Sequence, residues 1–307
     1  KKSGKFPVLA KKSQSFDWPL MHNPNLNYNC TYFIQYFVQQ FYFGMVDYSC
    51  GLRTYPGHNG TDIHTWPFPW YLSDNDQVIA VAAEQGVIVV KHDGYDDDHC
   101  NAQTTSWWNA VYLEHNDGSR SWYGHLKKNS LTAKIVGQTV NKGEMLGVVS
   151  SSGMSMTPHL HFEVYDGGGN LIDPFQGNCN LLNNTSWWAN QKPYREPTLN
   201  TILTHDTLPV HGCPSSNEFP NFSNSFNTGD SIYTAIYFHD EMQGDSSLLT
   251  IKTPNNLVWQ SWTHVAPSAA STSWWYWNWQ LPANGPFGLW EFEVTYNGLT
   301  TSHNFDY

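Results

Sequence analysis

Short apolar runs, each bounded by a turn rich in Gly, Asn or Asp, succeed one another through most of this chain and constrain its fold more than any other feature. In the first half they occupy residues 78–81, 86–90, 110–115, 121–126, 136–140, 145–149 and 159–164. Asp117-Gly118, between two of these runs, is a strong β-hairpin signal. Because no helical period accompanies the runs, they predict an antiparallel all-β domain.

A second series of runs predicts a second β domain after residue 200. These runs occupy residues 231–238, 248–252, 257–262, 274–281, 289–296 and 299–305. Such a series over about 100 residues is typical of a β-sandwich. Residues 179–199 are rich in Asn and Pro and are predicted to form a linker. The predicted order is therefore a first domain at 57–178, the linker, and a smaller sandwich at 200–307.

The first 56 residues carry a weaker signal. Residues 32–38 have a β-prone composition without clean alternation, so helix and strand both remain open there. Pro56-Gly57 is a turn signal that ends any regular element just before His58. We expect residues 1–56 to pack on the domain at 57–178 or to lead into it.

The run at 159–164, His-Leu-His-Phe-Glu-Val, alternates between polar and apolar side chains. This period of two is the signature of a strand, in which positions i, i+2 and i+4 share one face. His159, His161 and Glu163 therefore point the same way. One face of this strand can thus supply a metal ligand and an acid/base group side by side.

Residues 57–63, Gly-His-Asn-Gly-Thr-Asp-Ile, contain two further residues that could bind a metal ion together with that strand. His58 and Asp62 lie four residues apart, which places them on one side of a helix or of an extended segment. The neighbouring Pro56 and Gly60 argue against the helix.

His58, Asp62 and His161 are thus the candidate metal ligands. Two imidazoles and a carboxylate suit zinc, and three protein ligands leave a fourth position for water. The HExxH motif, with its glutamate base, is absent. His159 and His125 are the candidates for the proton chemistry.

Taken together, these motifs resemble the lysostaphin-type zinc endopeptidases, bacterial enzymes that cut peptides in peptidoglycan. The resemblance covers about residues 57–175. It is carried by residues 57–63, by Tyr-Gly-His-Leu at 123–126, by Pro-His-Leu-His-Phe-Glu-Val at 158–164 and by Asp173-Pro174.

The resemblance implies a lysostaphin-like antiparallel peptidase domain with zinc held by His58, Asp62 and His161. It also implies that His125 and His159 act on the catalytic water and on the transition-state oxyanion, without deciding which does which. Two further roles stay open. Glu163 either orients a ligand imidazole or is an ordinary solvated strand residue, and Tyr123 either donates to the oxyanion or packs in the core.

The chain departs from the family pattern in two segments. Residues 64–71 form an aromatic and Pro-rich insertion after Ile63, and the acidic loop at 93–99, followed by Trp107-Trp108, is larger than the family's. We expect these segments to wall the substrate groove.

Charge and cysteine content limit the partners and the compartment. The formal net charge of −11 argues against a nucleic-acid partner and gives no electrostatic attraction to anionic polymers. The sequence contains no apolar run of 18 or more residues, so no membrane-spanning segment is predicted. The opening residues show no signal peptide, which carries no weight for a processed chain.

The five cysteines contain no CxxC pair and are typical of an exported protein with one or two disulfides. The pairings that we favour are Cys30–Cys50 and Cys179–Cys213, which leaves Cys100 over. Five reduced cysteines are the alternative.

The sequence therefore predicts a secreted or periplasmic zinc endopeptidase that cuts peptides in peptidoglycan. One alternative is a secreted protease for Gly-rich proteins such as elastin, and another is a non-catalytic wall-binding protein with the same fold. The aromatic run at 274–279 is predicted to be sandwich core, with a stacking platform for polysaccharide as the alternative.

Overall fold

The computed structural model describes residues 15–41, 44–101 and 107–307; residues 1–14 and 42–43 of the predicted N-terminal segment lie outside this set. The chain forms two compact units. The first contains residues 15–23, 34–64 and 73–194, and the second contains residues 24–33, 65–72 and 195–307. The predicted domains are consecutive segments of the chain that begin at residues 57, 179 and 200. Each observed unit instead combines three separate segments of the sequence. Trp187 and Trp188, inside the predicted linker, are buried in the first unit.

Through residue 172, the described part of the chain forms eleven strands and one short helix. They are β1 (Leu20–His22), β2 (Tyr32–Tyr36), β3 (Thr61–Thr65), α1 (Pro69–Asp74), β4 (Val78–Val81), β5 (Gly86–His92), β6 (Ala110–Glu114), β7 (Arg120–Gly124), β8 (Thr139–Val140), β9 (Met145–Val148), β10 (His159–Tyr165) and β11 (Leu171–Ile172). The main sheet has the order β2-β3-β10-β7-β6-β5-β8, with β11 paired to β10, and β1-β4-β9 form a smaller sheet. The all-β prediction is confirmed. Within the described residues no helix is long and apolar enough to cross a membrane.

On three neighbouring strands of the main sheet, β3, β10 and β7, the apolar side chains lie on the same face. Leu160 on β10 lies opposite Ile63 on β3, and Phe162 on β10 lies opposite Tyr123 on β7. All four side chains are fully buried. Because successive side chains alternate between the two faces of a strand, this apolar face leaves the intervening polar residues together on the other face.

The turns explain where strands begin and end. The hairpin predicted at Asp117-Gly118 joins β6 to β7, and the Asp117 carboxylate accepts a hydrogen bond from the backbone N–H of Ser119 at 3.0 Å. The run predicted at 136–140 is wrong in extent, since only Thr139–Val140 forms a strand. Gly137 has a φ of +90°, a left-handed conformation that breaks the pleat, and leaves Val136 exposed.

The second unit contains two antiparallel sheets. Its elements are β12 (Thr198–His205), the 3₁₀ helix η1 (Ser215–Asn217), β13 (Ser231–His239), β14 (Ser246–Lys252), β15 (Val258–Val265), β16 (Thr272–Gln280), β17 (Leu289–Tyr296) and β18 (Leu299–Asp306). The sheet orders are β12-β13-β16 and β15-β14-β17-β18. Asn297 and Gly298 both have positive φ in the two-residue turn between β17 and β18, as a type I′ hairpin requires.

Both sheets of the second unit contribute to one apolar cluster, which includes Ile236 on β13 and Phe292 on β17. Trp275, Trp277 and Trp279 of β16 pack against this cluster, so the core interpretation of the aromatic run holds for them. Residues 65–72 also belong to this unit. Their Phe68 packs with the buried Ala235 and Tyr237, which lie on the face of β13 opposite Ile236.

The predicted disulfide pairings are wrong. Cys50 is bonded to Cys179, 129 residues away, with their Cα atoms 5.1 Å apart. Cys30 is a buried thiol 3.5 Å from the carbonyl oxygen of Tyr32. The pairings were inferred from closeness along the sequence, whereas strand order in a β protein brings distant segments together.

Candidate metal centre

The polar face of the β3–β10 pair forms the floor of the site. Asp62 lies directly opposite His161, and His64 lies directly opposite His159. Side chains that face each other across an antiparallel pair have Cβ atoms about 4.5–5.5 Å apart. The strand register therefore gathers one carboxylate and three imidazoles on a single patch.

The three predicted metal ligands converge on one point. Nε2 of His58 lies 3.1 Å from Oδ2 of Asp62, and Nδ1 of His161 lies 2.7 Å from Oδ1 of Asp62. One ligand atom from each of the three residues lies within 4.8 Å of the others, and all three side chains are buried. Burial opposes the charged carboxylate, but the neighbouring His58 and His159 outweigh it and hold the pKa of Asp62 well below its usual value.

The donor atoms of His58 fit a bound cation. Its Nδ1 lies 2.8 Å from the carbonyl oxygen of Phe37, which can only accept, so Nδ1 carries the proton. Its Nε2 is buried and has no hydrogen-bond partner among the described residues. In the neutral ring this nitrogen directs a lone pair at the Asp62 carboxylate. Two facing acceptors repel each other unless a proton or a metal ion lies between them.

His161 lies between two carboxylates. Besides Asp62, its Nε2 lies 2.9 Å from Oε1 of Glu163, which is itself buried. Burial disfavours the charged imidazole, but the hydrogen bonds and charges of Asp62 and Glu163 outweigh it and raise the pKa of His161 to about 10. The site thus stabilises positive charge beside Asp62. The solvated-strand alternative for Glu163 is wrong, and its contact is that of a carboxylate that orients a ligand imidazole.

His125 and His159 lie beside the ligand cluster, with their ring centroids 4.5 Å apart. Backbone carbonyls fix both rings, since Nδ1 of His125 donates to Ser152 at 2.6 Å and Nδ1 of His159 donates to Thr157 at 2.8 Å. Each ring therefore keeps Nε2 for other contacts. Nε2 of His159 lies 3.5 Å from Oδ1 of Asp62.

His125 is held in a specialised environment. Burial, together with the nearby His159 and His161, holds the pKa of His125 well below its usual value, so the ring is neutral. The residue follows the last position of β7 with a φ of +60°, which is strained for a non-Gly residue. Such strain persists where the surroundings determine the conformation, here the hydrogen bond to Ser152.

Trp108 forms a wall of the site. Its ring centroid lies 4.8 Å from that of His125 and 5.5 Å from that of His161, and its Nε1 donates to the Tyr112 hydroxyl at 3.0 Å. The ring packs against Gly124, where an added Cβ would meet it at 2.2 Å. The expectation that Trp107-Trp108 wall the groove therefore holds for Trp108.

A cavity of about 370 Å³ opens beside the cluster. Its lining includes Tyr55, Asn59, Trp108 and Met154 as well as His58, His125, His161 and Glu163. Tyr55 stacks on His58 with ring centroids 4.4 Å apart. The donor atoms thus face an open cavity that has aromatic side chains in its lining.

Several contributors to the site were not anticipated from the sequence. His64 could have been found, because it lies two residues from Asp62 and a strand places the two on one face. The backbone carbonyls of Phe37, Ser152 and Thr157 could not be anticipated, because residue type does not indicate which backbone oxygen will accept a hydrogen bond. Tyr123 is fully buried, and its hydroxyl accepts from the Ala83 N–H at 2.8 Å, so the packed-core alternative describes it.

Known proteins share the motif region. The model of the family described as Peptidase family M23 matches residues 57–174. The glycyl-glycine endopeptidase ALE-1 of Staphylococcus capitis is 43% identical over 56 residues, which cover 18% of this chain and 15% of that protein. The cell division protein DipM of Caulobacter vibrioides is 31% identical over 84 residues, 27% of this chain and 13% of that protein. The chain thus spans 15% or less of the length of these two relatives.

Among solved structures, the catalytic domain of lysostaphin from Staphylococcus simulans is 24% identical and covers 50% of this chain and 96% of that chain, with a TM-score of 0.28. The all-β fold is seen directly in the strand order of the two sheets of the first unit. The family match and the motif residues agree on the same segment. Residues 57–174, which hold His58, Asp62, His125, His159 and His161, form a domain of peptidase family M23.

Proposed function

We propose that this chain is a zinc-dependent endopeptidase that hydrolyses peptide bonds in bacterial peptidoglycan. The observation that carries the proposal is the convergence of His58, Asp62 and His161 beside two further imidazoles at an open cavity. Two neutral nitrogens and one carboxylate oxygen form the donor set of catalytic zinc sites. The Nε2 atom of His58, which faces a carboxylate without a hydrogen bond, supports a cation at this position.

His58, Asp62 and His161 would hold the zinc ion. A zinc ion there supplies a Lewis acid that polarises the scissile carbonyl and acidifies a water molecule in the open position. Glu163 accepts the Nε2–H of His161 and so leaves its Nδ1 lone pair directed toward Asp62. This contact fixes both the tautomer and the ring orientation of the ligand.

His125 and His159 would handle the protons. His125 is neutral with its Nδ1–H bound to Ser152, so its Nε2 can take the proton of the attacking water. Nδ1 of His159 is bound to the Thr157 carbonyl, and its Nε2 lies 3.5 Å from Oδ1 of Asp62, so this ring is the second imidazole beside the ligand cluster. We therefore assign the acceptor role to His125 and the donor role toward the oxyanion to His159.

The substrate class rests on the relatives. One of them carries the name glycyl-glycine endopeptidase, and another is a cell division protein. The exposed cavity and the absence of a basic footprint suit recognition of a peptide through aromatic contacts and hydrogen bonds. The Cys50–Cys179 disulfide supports secretion or a periplasmic location, since such bonds persist in oxidising compartments. Polysaccharide binding by the second unit stays a prediction.

The experiment uses the full chain, stripped of metal by a chelator and then supplied with zinc. Purified peptidoglycan, short glycine peptides and elastin are digested, and mass spectrometry identifies the cut bonds. We expect zinc-dependent cleavage of peptidoglycan peptides, and loss of it in His161→Ala but not in His22→Ala, a histidine of β1 in the same unit. Cleavage of elastin alone favours the Gly-rich-protein alternative. Binding to peptidoglycan without turnover on any substrate makes the chain a wall-binding protein.

A further inference from the structure

We propose that Asp62, His64 and His159 form a second, weaker site for a divalent transition-metal ion, and that occupancy of this site inhibits the enzyme. The proposal rests on the proposed function for its effect on activity, whereas the binding itself can be measured independently. One donor atom from each of these residues lies within 4.8 Å of the others.

The strand register places the second cluster next to the first. Asp62 and His64 share one face of β3, and His159 and His161 share one face of β10. The direct pairs are Asp62 with His161 and His64 with His159. Asp62 therefore belongs to both clusters, with His58 and His161 on one side and His64 and His159 on the other.

Donor chemistry favours a cation between Asp62 and His159. Nδ1 of His159 donates to the Thr157 carbonyl at 2.8 Å, so Nε2 is the ring nitrogen that faces Oδ1 of Asp62, 3.5 Å away. As with His58, an imidazole nitrogen and a carboxylate oxygen face each other, and a metal ion can bind to both. In the inhibited form a metal ion would occupy this position.

His64 completes the cluster with a third donor. Its ring is nearly parallel to that of His159, at an interplanar angle of 7° and a centroid distance of 4.5 Å. Two imidazoles and a carboxylate again suit zinc and related ions, with further positions left for water. The second cluster therefore has the same donor composition as the first.

Asp62 would serve both sites if they are occupied together. Oδ2 faces His58 at 3.1 Å, while Oδ1 lies between Nδ1 of His161 at 2.7 Å and Nε2 of His159 at 3.5 Å. Carboxylates bridge metal ions about 3.5–4 Å apart in two-metal hydrolases. Because one carboxylate would serve two dications that repel each other, the second ion is expected to bind more weakly than the first.

Occupancy of the second site would stop the reaction by using Nε2 of His159. That nitrogen is the donor assigned to the developing oxyanion, and a metal ion on it leaves no proton to donate. Loss of one acid/base group of this kind costs about a hundredfold or more in rate.

The binding test is a titration of metal-free full-length protein with zinc alone, followed by isothermal calorimetry and by metal analysis after equilibrium dialysis. The parent is expected to take up two zinc ions in a tight and a weaker step. His64→Phe keeps a ring against His159 without a donor atom, and it is expected to take up one. His64→Gln is the second variant should His64→Phe fail to fold, and His22→Phe is the control that keeps both steps.

Uptake of a single ion by the parent, or of two ions by a folded His64 variant, overturns the proposal. A rate measurement adds the inhibitory effect, with each protein compared with its own rate at one equivalent of zinc. Excess zinc is expected to slow the parent at least about tenfold and to spare the His64 variants. Equal slowing of parent and variants overturns the inhibitory role. Failure of the proposed function gives a different result, since no hydrolysis would then occur at any zinc concentration.

Discussion

His161 and Asp62 lie 99 residues apart in the sequence, yet Nδ1 of His161 is 2.7 Å from Oδ1 of Asp62 across the β3–β10 pair. A slip of one residue in this pairing would turn one of the two side chains to the opposite face of the sheet. The buried apolar face of the same strands, with Leu160 opposite Ile63, resists that slip. Core packing on one face of the sheet thus sets the metal-binding geometry on the other.

Replacement of Gly60 by Ala is expected to weaken zinc binding. A Cβ at this position would lie 2.5 Å from Nε2 of His161, an atom fixed by its hydrogen bond to Glu163. The imidazole must shift to make room, which costs about 1–3 kcal/mol of stability and moves Nδ1 away from Asp62. Zinc affinity, measured by competition with a chromophoric chelator, should fall about 10- to 100-fold.

Gly44→Ala is the control for that prediction, because its added Cβ makes only ordinary contacts at 3.8 Å. Both glycines lack a positive φ, so neither substitution adds backbone strain. Unchanged zinc affinity in Gly60→Ala would show that His161 tolerates the intrusion.

Glu163→Gln is expected to reduce zinc affinity without unfolding the protein. The amide oxygen can still accept from Nε2 of His161 at the observed 2.9 Å, but the negative charge that strengthens the ligand is lost. Changing a group that hydrogen-bonds a metal ligand typically costs 10- to 100-fold in metal affinity or activity, and the retained hydrogen bond favours about tenfold here. Glu114→Gln is the matched control, since Glu114 is a partly exposed strand glutamate paired with Arg120, and it should leave zinc binding unchanged. An equal effect of both substitutions would deny Glu163 its orienting role.

Gly124 and Trp108 are expected to be energetically coupled. A methyl group on Gly124 would meet the Trp108 ring at 2.2 Å, so Gly124→Ala should destabilise the protein by about 1–3 kcal/mol. In a Trp108→Ala background the obstacle is gone, and the same change should cost about 0.5 kcal/mol or less. Urea unfolding of the four proteins of this double-mutant cycle gives the coupling directly. If the destabilisations caused by Gly124→Ala and Trp108→Ala are additive, the Trp108 ring moves aside without cost when a methyl group is added at position 124.

The stability of the second unit is expected to fall as the pH drops from about 6.5 to about 4. Burial lowers the pKa of His205 to about 4, although the carbonyl of Pro220 opposes the shift, and this side chain is completely buried. Between the two pKa values the unfolded chain takes up a proton that the folded chain excludes. His205 therefore does not lower the free energy of unfolding well above pH 6.5. The decrease in that free energy reaches at most about 3 kcal/mol near pH 4.

His205→Gln tests that dependence. Gln can still donate to Pro220 or accept from the Tyr237 hydroxyl, but it does not titrate. The variant should lose less stability than the parent between pH 7 and pH 4 when urea unfolding is followed by tryptophan fluorescence. Identical slopes in the two proteins would assign the acid sensitivity to other groups.

Local pattern was enough to predict the strands and much of the site. The alternation at 159–164 predicted β10 and its polar face, and Asp117-Gly118 predicted the hairpin between β6 and β7, because these signals depend on residues close in sequence. The motif residues His58, Asp62 and His161, predicted as ligands, lie together in the structure.

Pairing between distant segments could not be obtained in this way. No local pattern indicated the disulfide between Cys50 and Cys179 or the interleaved units, because both depend on which strands lie side by side. Likewise, the hydrogen bond that fixes His125 is accepted by the backbone carbonyl of Ser152. Every residue has such a carbonyl, so the sequence does not single this one out.

The sequence by itself determined the kinds of donor atoms, their spacing on each strand and the all-β class, since each follows from side-chain chemistry and a period of two. Only the tertiary structure decided that Asp62 faces His161 while His64 faces His159, and that Trp108 fills the space left by Gly124. The physical reason is that register and ring packing are set by the buried face of the whole sheet, whose contacts span about a hundred residues of chain.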